Sequence, residues 1–297
     1  MKKQTVFYVA TVVLVILVVV ASVKIFSQED DWVCQNGQWV NHGAPSSPKP
    51  GSGCGLPTPS DEPKENISVD SPKAGAELSL PFSVKGQARV FENTINFKIK
   101  DSENNVLYEG IGMAQAPDMG KFGPFEKEIS YLYQKPAGNE VIIEIFELSA
   151  KDGSVINLVS LPVKLDIETA RTIKVFYLNN SLDPEISCNK VFPVERVISQ
   201  NGSPIEGALK ALVGEINPAD VEKGYDTNLN FGVFVKKWSL KDGVARVDFN
   251  EALEQGVGGS CKVATIRAQI TETLKQFSSV KEVIISIDDR TEDILQP

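Results

Sequence analysis

Five charged side chains crowd the end of this chain: Asp288, Asp289, Arg290, Glu292 and Asp293. Neighbouring carboxylates can move protons or hold a divalent cation. No Asp-x-Asp-x-Asp-Gly run occurs, so the spacing is not that of a calcium loop. A solvated turn leading into the tail is the expected reading. Asp248, Glu251 and Glu254 form a second group. Glycosidic cleavage needs two carboxylates about 5–10 Å apart across a cleft, and nothing in this spacing sets that distance. Gly256-Val-Gly-Gly-Ser260 can offer backbone N–H groups to an anion at a helix start. It lacks the lysine of a P-loop, and Ser260 is expected to cap the helix and bring Cys261 toward Cys188. The single histidine, His42, leaves a serine or cysteine nucleophile without a base and excludes a histidine-rich metal site. No catalytic, cofactor-binding or metal-binding residue is assigned, no cofactor is expected, and the chain reads as non-enzymatic. Trp39 and Trp238 are candidate stacking platforms for a ligand.

There are four cysteines: Cys34, Cys54, Cys188 and Cys261. An even number on an exported chain favours disulfides. Of the possible pairings, Cys34–Cys54 with Cys188–Cys261 keeps each bond within one unit. No Cys-x-x-Cys occurs, which argues against a redox motif or a zinc ribbon.

Export is read from the N-terminus. Lys2 and Lys3 precede an apolar run from Val6 to Val23, broken only by Tyr8, Thr11 and Ser22. At 1.5 Å per residue it spans most of a ~30 Å hydrocarbon core. The positive flank predicts a single-pass anchor with its N-terminus inside and the rest of the chain extracytoplasmic. A cleaved signal peptide is the rival reading, but the run is long for one and lacks a clear A-x-A site. The formal net charge of −9 argues against nucleic acid or an anionic lipid face as partner, since each needs a basic patch.

The elements that must position these residues divide the chain into four parts. Residues 1–28 are the anchor. Residues 29–66 are a Pro-rich tether that cannot bury enough apolar surface to order itself fully. Within it, Asn36-Gly37 is a tight-turn signal between Trp32-Val33 and Trp39-Val40, and a small hairpin closed by Cys34–Cys54 is expected. Residues 67–166 show period-two alternation in short runs: Phe82 and Val84, then Ile95, Phe97 and Ile99, then Val141, Ile143 and Ile145. Regular turn signals between them predict an all-β sandwich of roughly seven strands. Residues 167–297 are mixed. A strand over 172–178 is followed by Ser203-Pro204, the start of a helix whose apolar face is Ile205, Ala208, Leu209, Leu212 and Val213, with Gly214 as its stop. Strands over 231–240 and 244–249 are joined by Lys241-Asp-Gly243. A helix over 262–277 carries Val263, Ile266, Ile270, Leu274 and Phe277, and a strand over 281–288 closes the order β-α-β-β-α-β, an α+β sheet with helices on one face.

Two stretches resemble known families. Ile173-Lys-Val-Phe-Tyr177, Glu206-Gly-Ala-Leu-Lys-Ala-Leu212, the hairpin from Lys241 to Phe249, the helix from Ala264 to Leu274 and Val283-Ile-Ile-Ser-Ile287 resemble the GerMN domain of sporulation and spore germination. Ile67-Ser-Val-Asp-Ser-Pro72, Phe82-Ser-Val-Lys-Gly-Gln-Ala88, Gly123-Pro-Phe125 and Val141-Ile-Ile-Glu-Ile-Phe-Glu147 resemble the immunoglobulin-like domain that accompanies it. The resemblance implies an envelope protein with no established catalytic residues. In spore formers the family is linked to germination and to a complex between two membranes. The chain departs from the pattern at Asp289, where the family often has Gly, and in carrying Cys188 and Cys261. The reading is therefore a scaffold or protein-binding module whose partner is an envelope protein or a wall polymer. A peptidoglycan-binding module using Trp39 or Trp238 and a carboxylate-dependent wall hydrolase are the alternatives. No oligomeric state follows from the sequence.

Overall fold

The computed structural model describes residues 31–35, 38–43, 45, 47–50 and 65–296. The Val6–Val23 anchor, the Asn36-Gly37 turn and the Cys34–Cys54 pairing lie outside the described residues. Among the described residues no helix is long and apolar enough to cross a membrane.

The chain forms two compact units, split after Lys64. In the first, β1 (Asp31–Gln35) pairs antiparallel with β2 (Gln38–His42), with Val33 opposite Val40. The Trp32 indole donates to the Ser47 carbonyl at 2.8 Å.

The second unit begins with a sandwich. Its strands are β3 (Ile67–Ser71), β4 (Glu77–Leu78), β5 (Phe82–Ala88), β6 (Thr94–Asp101), β7 (Val106–Met113), β8 (Gly123–Ile129), β10 (Glu140–Leu148) and β11 (Val155–Leu165), while β9 (Tyr131–Leu132), between β8 and β10 in sequence, joins a different sheet. One sheet has the order β4-β11-β10-β6-β7 and the other β3-β5-β8. Strands half covered on one face alternate apolar and polar residues. Ile95, Phe97, Ile99, Val141, Ile143 and Ile145 accordingly point into the core, and all are buried. Phe97 meets Phe125 of the facing sheet edge to face, with ring centroids 5.8 Å apart. Gly86 makes that contact possible, because a Cβ there would sit 2.0 Å from the Ser68 carbonyl oxygen and 2.7 Å from the Phe125 ring. Asp101 is buried at the β6–β7 turn, where it accepts the backbone N–H groups of Glu103, Asn105 and Ala137.

The rest of the unit comprises β12 (Ala170–Asn179), β13 (Phe192–Ser199), α1 (Pro204–Leu212), α2 (Pro218–Glu222), β14 (Tyr225–Asp226), β15 (Val235–Lys241), β16 (Val244–Phe249), α3 (Ser260–Lys275) and β17 (Glu282–Ile287). Three features correct the sequence reading. An additional strand, β13, precedes the first helix; Pro193 and the buried Arg196 hid its alternation. The strands form two sheets instead of one, with orders β14-β12-β13-β9 and β15-β16-β17. Ser260 is the first residue of α3 and not its cap; Gly259, at φ 88°, takes the cap position with no side-chain bond. At α1, Ser203 accepts the Glu206 N–H at 3.4 Å and Pro204 opens the helix.

Helix α3 buries two stripes. Val263, Ile266, Ile270 and Leu274 form the apolar one, while Thr265, Gln269 and Thr273 are polar and equally buried. The polar stripe faces the edge of β12. Thr273 Oγ1 accepts the Phe176 N–H at 3.1 Å, Gln276 Oε1 accepts the Lys174 N–H at 2.8 Å, and Gln269 Nε2 donates to the Phe176 carbonyl at 3.4 Å. Gln269 Oε1 also accepts the Asn228 N–H at 3.0 Å. Helix side chains thus replace a missing strand. Removing one such partner leaves a buried N–H unmet, which costs about 1–3 kcal/mol. Gln269→Leu and Thr273→Val are each expected to lose that much in a urea melt, although both substitutes are more apolar than the residues they replace.

Candidate functional site

The carboxylates singled out in the sequence do converge, but around a turn. Asp288 and Asp289 are both left-handed, at φ 48° and 67°. They form the two-residue turn after β17, where Ile287 and Arg290 exchange backbone hydrogen bonds of 2.9 and 3.0 Å. A left-handed residue there explains why glycine would suit position 289; Asp is among the few side chains that tolerate it. Asp248, buried on β16, braces this turn from below. Its Oδ1 accepts the Ser286 hydroxyl at 2.7 Å and the Asp289 N–H at 2.8 Å. Lys236 pairs with Asp288 at 2.7 Å, and Lys237 pairs with Asp289. Glu254 pairs with Arg290 and accepts the Leu295 N–H at 3.3 Å. The group therefore ties the tail, with Ile294 and Leu295 buried, to the β15–β16 hairpin. Glu251 opens a short turn and is exposed, as is Glu292. Arg290 donates to the Asp293 carbonyl at 3.5 Å. Among the described residues no three His, Cys, Asp or Glu side chains gather as metal ligands.

Burial alone would raise the Asp248 carboxyl, but the bonds from Ser286 and Asp289, with Lys237 and Lys236 nearby, hold it below the usual aspartate value. A carboxyl lowered on folding contributes stability that is in place above the unfolded value, near pH 4, and is lost as pH falls through the folded one. Asp248→Ala is expected to cost about 1–3 kcal/mol at pH 7 by stranding the Ser286 and Asp289 donors. The gap between variant and parent should narrow on acidification below about pH 4, which denaturant melts at pH 7 and pH 3 would measure.

Cys188 and Cys261 form a disulfide with a Cα–Cα distance of 4.8 Å. It pins the loop between β12 and β13 to the start of α3. Thr265 Oγ1 adds a bond to the Cys188 carbonyl at 2.7 Å. That loop carries Ile186 and Cys188 in left-handed conformations, φ 50° and 64°. The glycines at 256, 258 and 259 serve this same corner as turn and helix start.

Trp238 lies on β15 opposite Val247 and is half-buried against the core. Trp39 belongs to β2 of the hairpin unit and is also half-buried. More exposed aromatic rings lie on the loop before β15 and at Phe91, which is 57% exposed. Phe231 is 86% exposed and Phe234 54% exposed. Their backbone is nonetheless fixed. Asn250 accepts the Phe234 N–H and donates to the Gly232 carbonyl, both at 2.9 Å. Asn230 donates to the carbonyls of Ala252 and Gln255, both at 2.8 Å. Gly232 takes the φ of 82° the loop requires, and Val233 is anchored in the core. Sequence reasoning placed Phe231 at the head of a strand. The available signal was Asn-Phe-Gly-Val-Phe, in which glycine and asparagine mark a turn and not an edge.

Comparison with known proteins accords with this architecture. Residues 66–154 match the immunoglobulin-like domain of bacterial spore germination. Residues 174–293 match the sporulation and spore germination domain. The chain is a GerMN-domain protein carrying the germination immunoglobulin-like domain ahead of it. Neither description names a reaction. Among solved structures, the tandem GerMN domains of the sporulation protein GerM from Bacillus subtilis share 21% identity at a TM-score of 0.34, over 42% of this chain and 41% of that one. The first GerMN domain of the same protein gives 19% and 0.30, over 41% and 85%. CopC from Methylosinus trichosporium OB3b gives 17% and 0.24, over 34% and 93%. This chain thus spans less than half of the tandem GerM structure. No curated protein matches it.

Proposed function

We propose that this chain is a membrane-anchored, extracytoplasmic, non-enzymatic scaffold that docks an envelope protein through the Phe231–Phe234 loop. The loop is the observation that carries the reading. Two phenyl rings stand in water on a backbone held by the side chains of Asn230 and Asn250 and by the Asn250 N–H, which donates to the Phe234 carbonyl at 3.2 Å. Pre-ordered aromatic residues are the usual anchors of protein interfaces, because little entropy is lost when they dock. The apolar Val6–Val23 run supports the membrane location, and a disulfide between Cys188 and Cys261 fits an oxidising space. Of the carboxylates in the sequence motifs, Asp248, Asp288, Asp289 and Glu254 are engaged in holding the C-terminal turn, which supports a binding role over hydrolysis.

The test is a photo-crosslinking residue at position 231 in the full-length protein in its native membrane, with position 119 as control. Met119 is 85% exposed and lies in the immunoglobulin-like domain, the first of the two modules in residues 65–296. The reading expects one discrete protein adduct from 231 and none from 119. Adducts to wall glycan, the same adducts from both positions, or no adduct at 231 would overturn it. With the partner in hand, Phe231→Asp should leave folding stability within about 0.5 kcal/mol and weaken binding by about 2 kcal/mol or more.

A further inference from the structure

In the sheet β14-β12-β13-β9 the two long strands, β12 and β13, are flanked by two-residue strands, and each outer edge is met in part by groups from elsewhere in the chain. The β12 edge is met by Gln269, Thr273 and Gln276 of α3. The β13 edge is met by β9, a strand that belongs in sequence to the immunoglobulin-like module, with Leu132 opposite Val197 and Tyr131 opposite Ile198. We propose that the first module acts as the strand donor that closes the second module's sheet, so that residues 65–296 are one cooperative folding unit and not two domains on a linker.

The contacts behind β9 are built for that strand. A Cβ on Gly214 would lie 2.1 Å from the Tyr131 hydroxyl oxygen, so the end of α1 is cut away to admit the ring. The same hydroxyl donates to the Glu215 carbonyl at 3.2 Å. The Glu215 side chain reaches back into the first module, where it accepts the Ile111 N–H at 3.2 Å and lies 3.6 Å from Lys127. Lys210 of α1 bridges to Glu128 at 2.8 Å. One residue past β9, the Tyr133 ring lies 5.3 Å from the Arg196 guanidinium, with Tyr177 at 5.7 Å. Without β9 the Val197–Ile198 stretch of β13's outer edge would lose its strand partner, and an open strand edge is a template for other chains. The inference concerns folding, and it stands or falls separately from the choice of partner.

Hydrogen exchange on the full-length protein in detergent tests it with Gly214→Ala, in the second module, and Tyr131→Phe, in the first. If the unit is cooperative, each change lowers protection of the slowest amides in both modules by the same factor, about tenfold for Gly214→Ala and about fivefold for Tyr131→Phe. Amides of β5 and β10 report on the first module and those of β12 and β13 on the second. Losses confined to the module that carries the substitution would overturn the proposal. Tyr131→Phe alone decides the matter if Gly214→Ala does not fold.

Discussion

Arg196→Met is expected to lower the unfolding free energy by about 3–5 kcal/mol. Arg196 is 1% exposed and its Nη2 lies 2.9 Å from Asp220 Oδ2. Asp220 is itself buried, and its other nearby cation, Lys223, is 3.9 Å away and largely in solvent. Removing the guanidinium leaves a carboxylate out of water without its charge partner, and that penalty exceeds the apolar surface a methionine would add. Two aromatic faces also lose their cation, each contact contributing about 0.5–2 kcal/mol. The surroundings are dry enough to push the Tyr177 hydroxyl up to about 12 by burial, against the opposing pull of Arg196. Burial likewise holds Tyr108, Tyr131 and Tyr133 well above the usual phenol value. A double-mutant cycle checks the cause. Arg196→Met with Asp220→Leu should recover much of the loss, because both charges leave together. Two single losses that simply add would show that the pair is not coupled.

The second large effect concerns the disulfide. Cys188 and Cys261 are 73 residues apart in sequence, and closing a loop of that length restricts the unfolded chain by about 4 kcal/mol in the chain-entropy picture. Cys261→Ser is expected to shift the denaturant midpoint accordingly, and reduction of the parent should reproduce the shift. Beyond the entropy, the bond holds the β12–β13 loop, where Ile186 and Cys188 are left-handed. A β-branched residue in that region is strained by roughly 1–2 kcal/mol. Once the bond is cut, exchange should rise first in residues 180–191 and only later in β12 or α3. A uniform rise would mean the loop is not the part that the bond restrains.

Much of the fold follows from periodicity. The sandwich strands alternate because one face is covered, α3 shows its apolar stripe, and Asp242 and Gly243 take the left-handed φ values of 53° and 82° that a two-residue hairpin turn demands. What stayed hidden has a common cause, since each case is a polar or small residue placed where packing or a backbone group required it. Arg196 sits inside, so β13 does not read as a strand. Gln269 and Thr273 are buried on a helix because they meet a strand edge, a reason no helical pattern discloses. Gly214 reads as a helix stop, while its structural duty is to make room for Tyr131 from another module. The acidic residues at 288 and 289 suggest chemistry, yet one neighbouring residue, Asp248, explains their placement as a braced turn. Phe231 is the converse case, an apolar residue left outside and therefore invisible to any rule that assigns phenylalanine to the core.

The account depends on residues 65–296 residing in an oxidising space with the β12–β13 loop bonded to α3. Differential alkylation of intact cells, followed by mass spectrometry of the peptides containing Cys188 and Cys261, reads this directly. Both thiols should be unreactive until a reductant is added and should then label together. Labelling of both without reductant, in protein recovered from the cytosol, would contradict it.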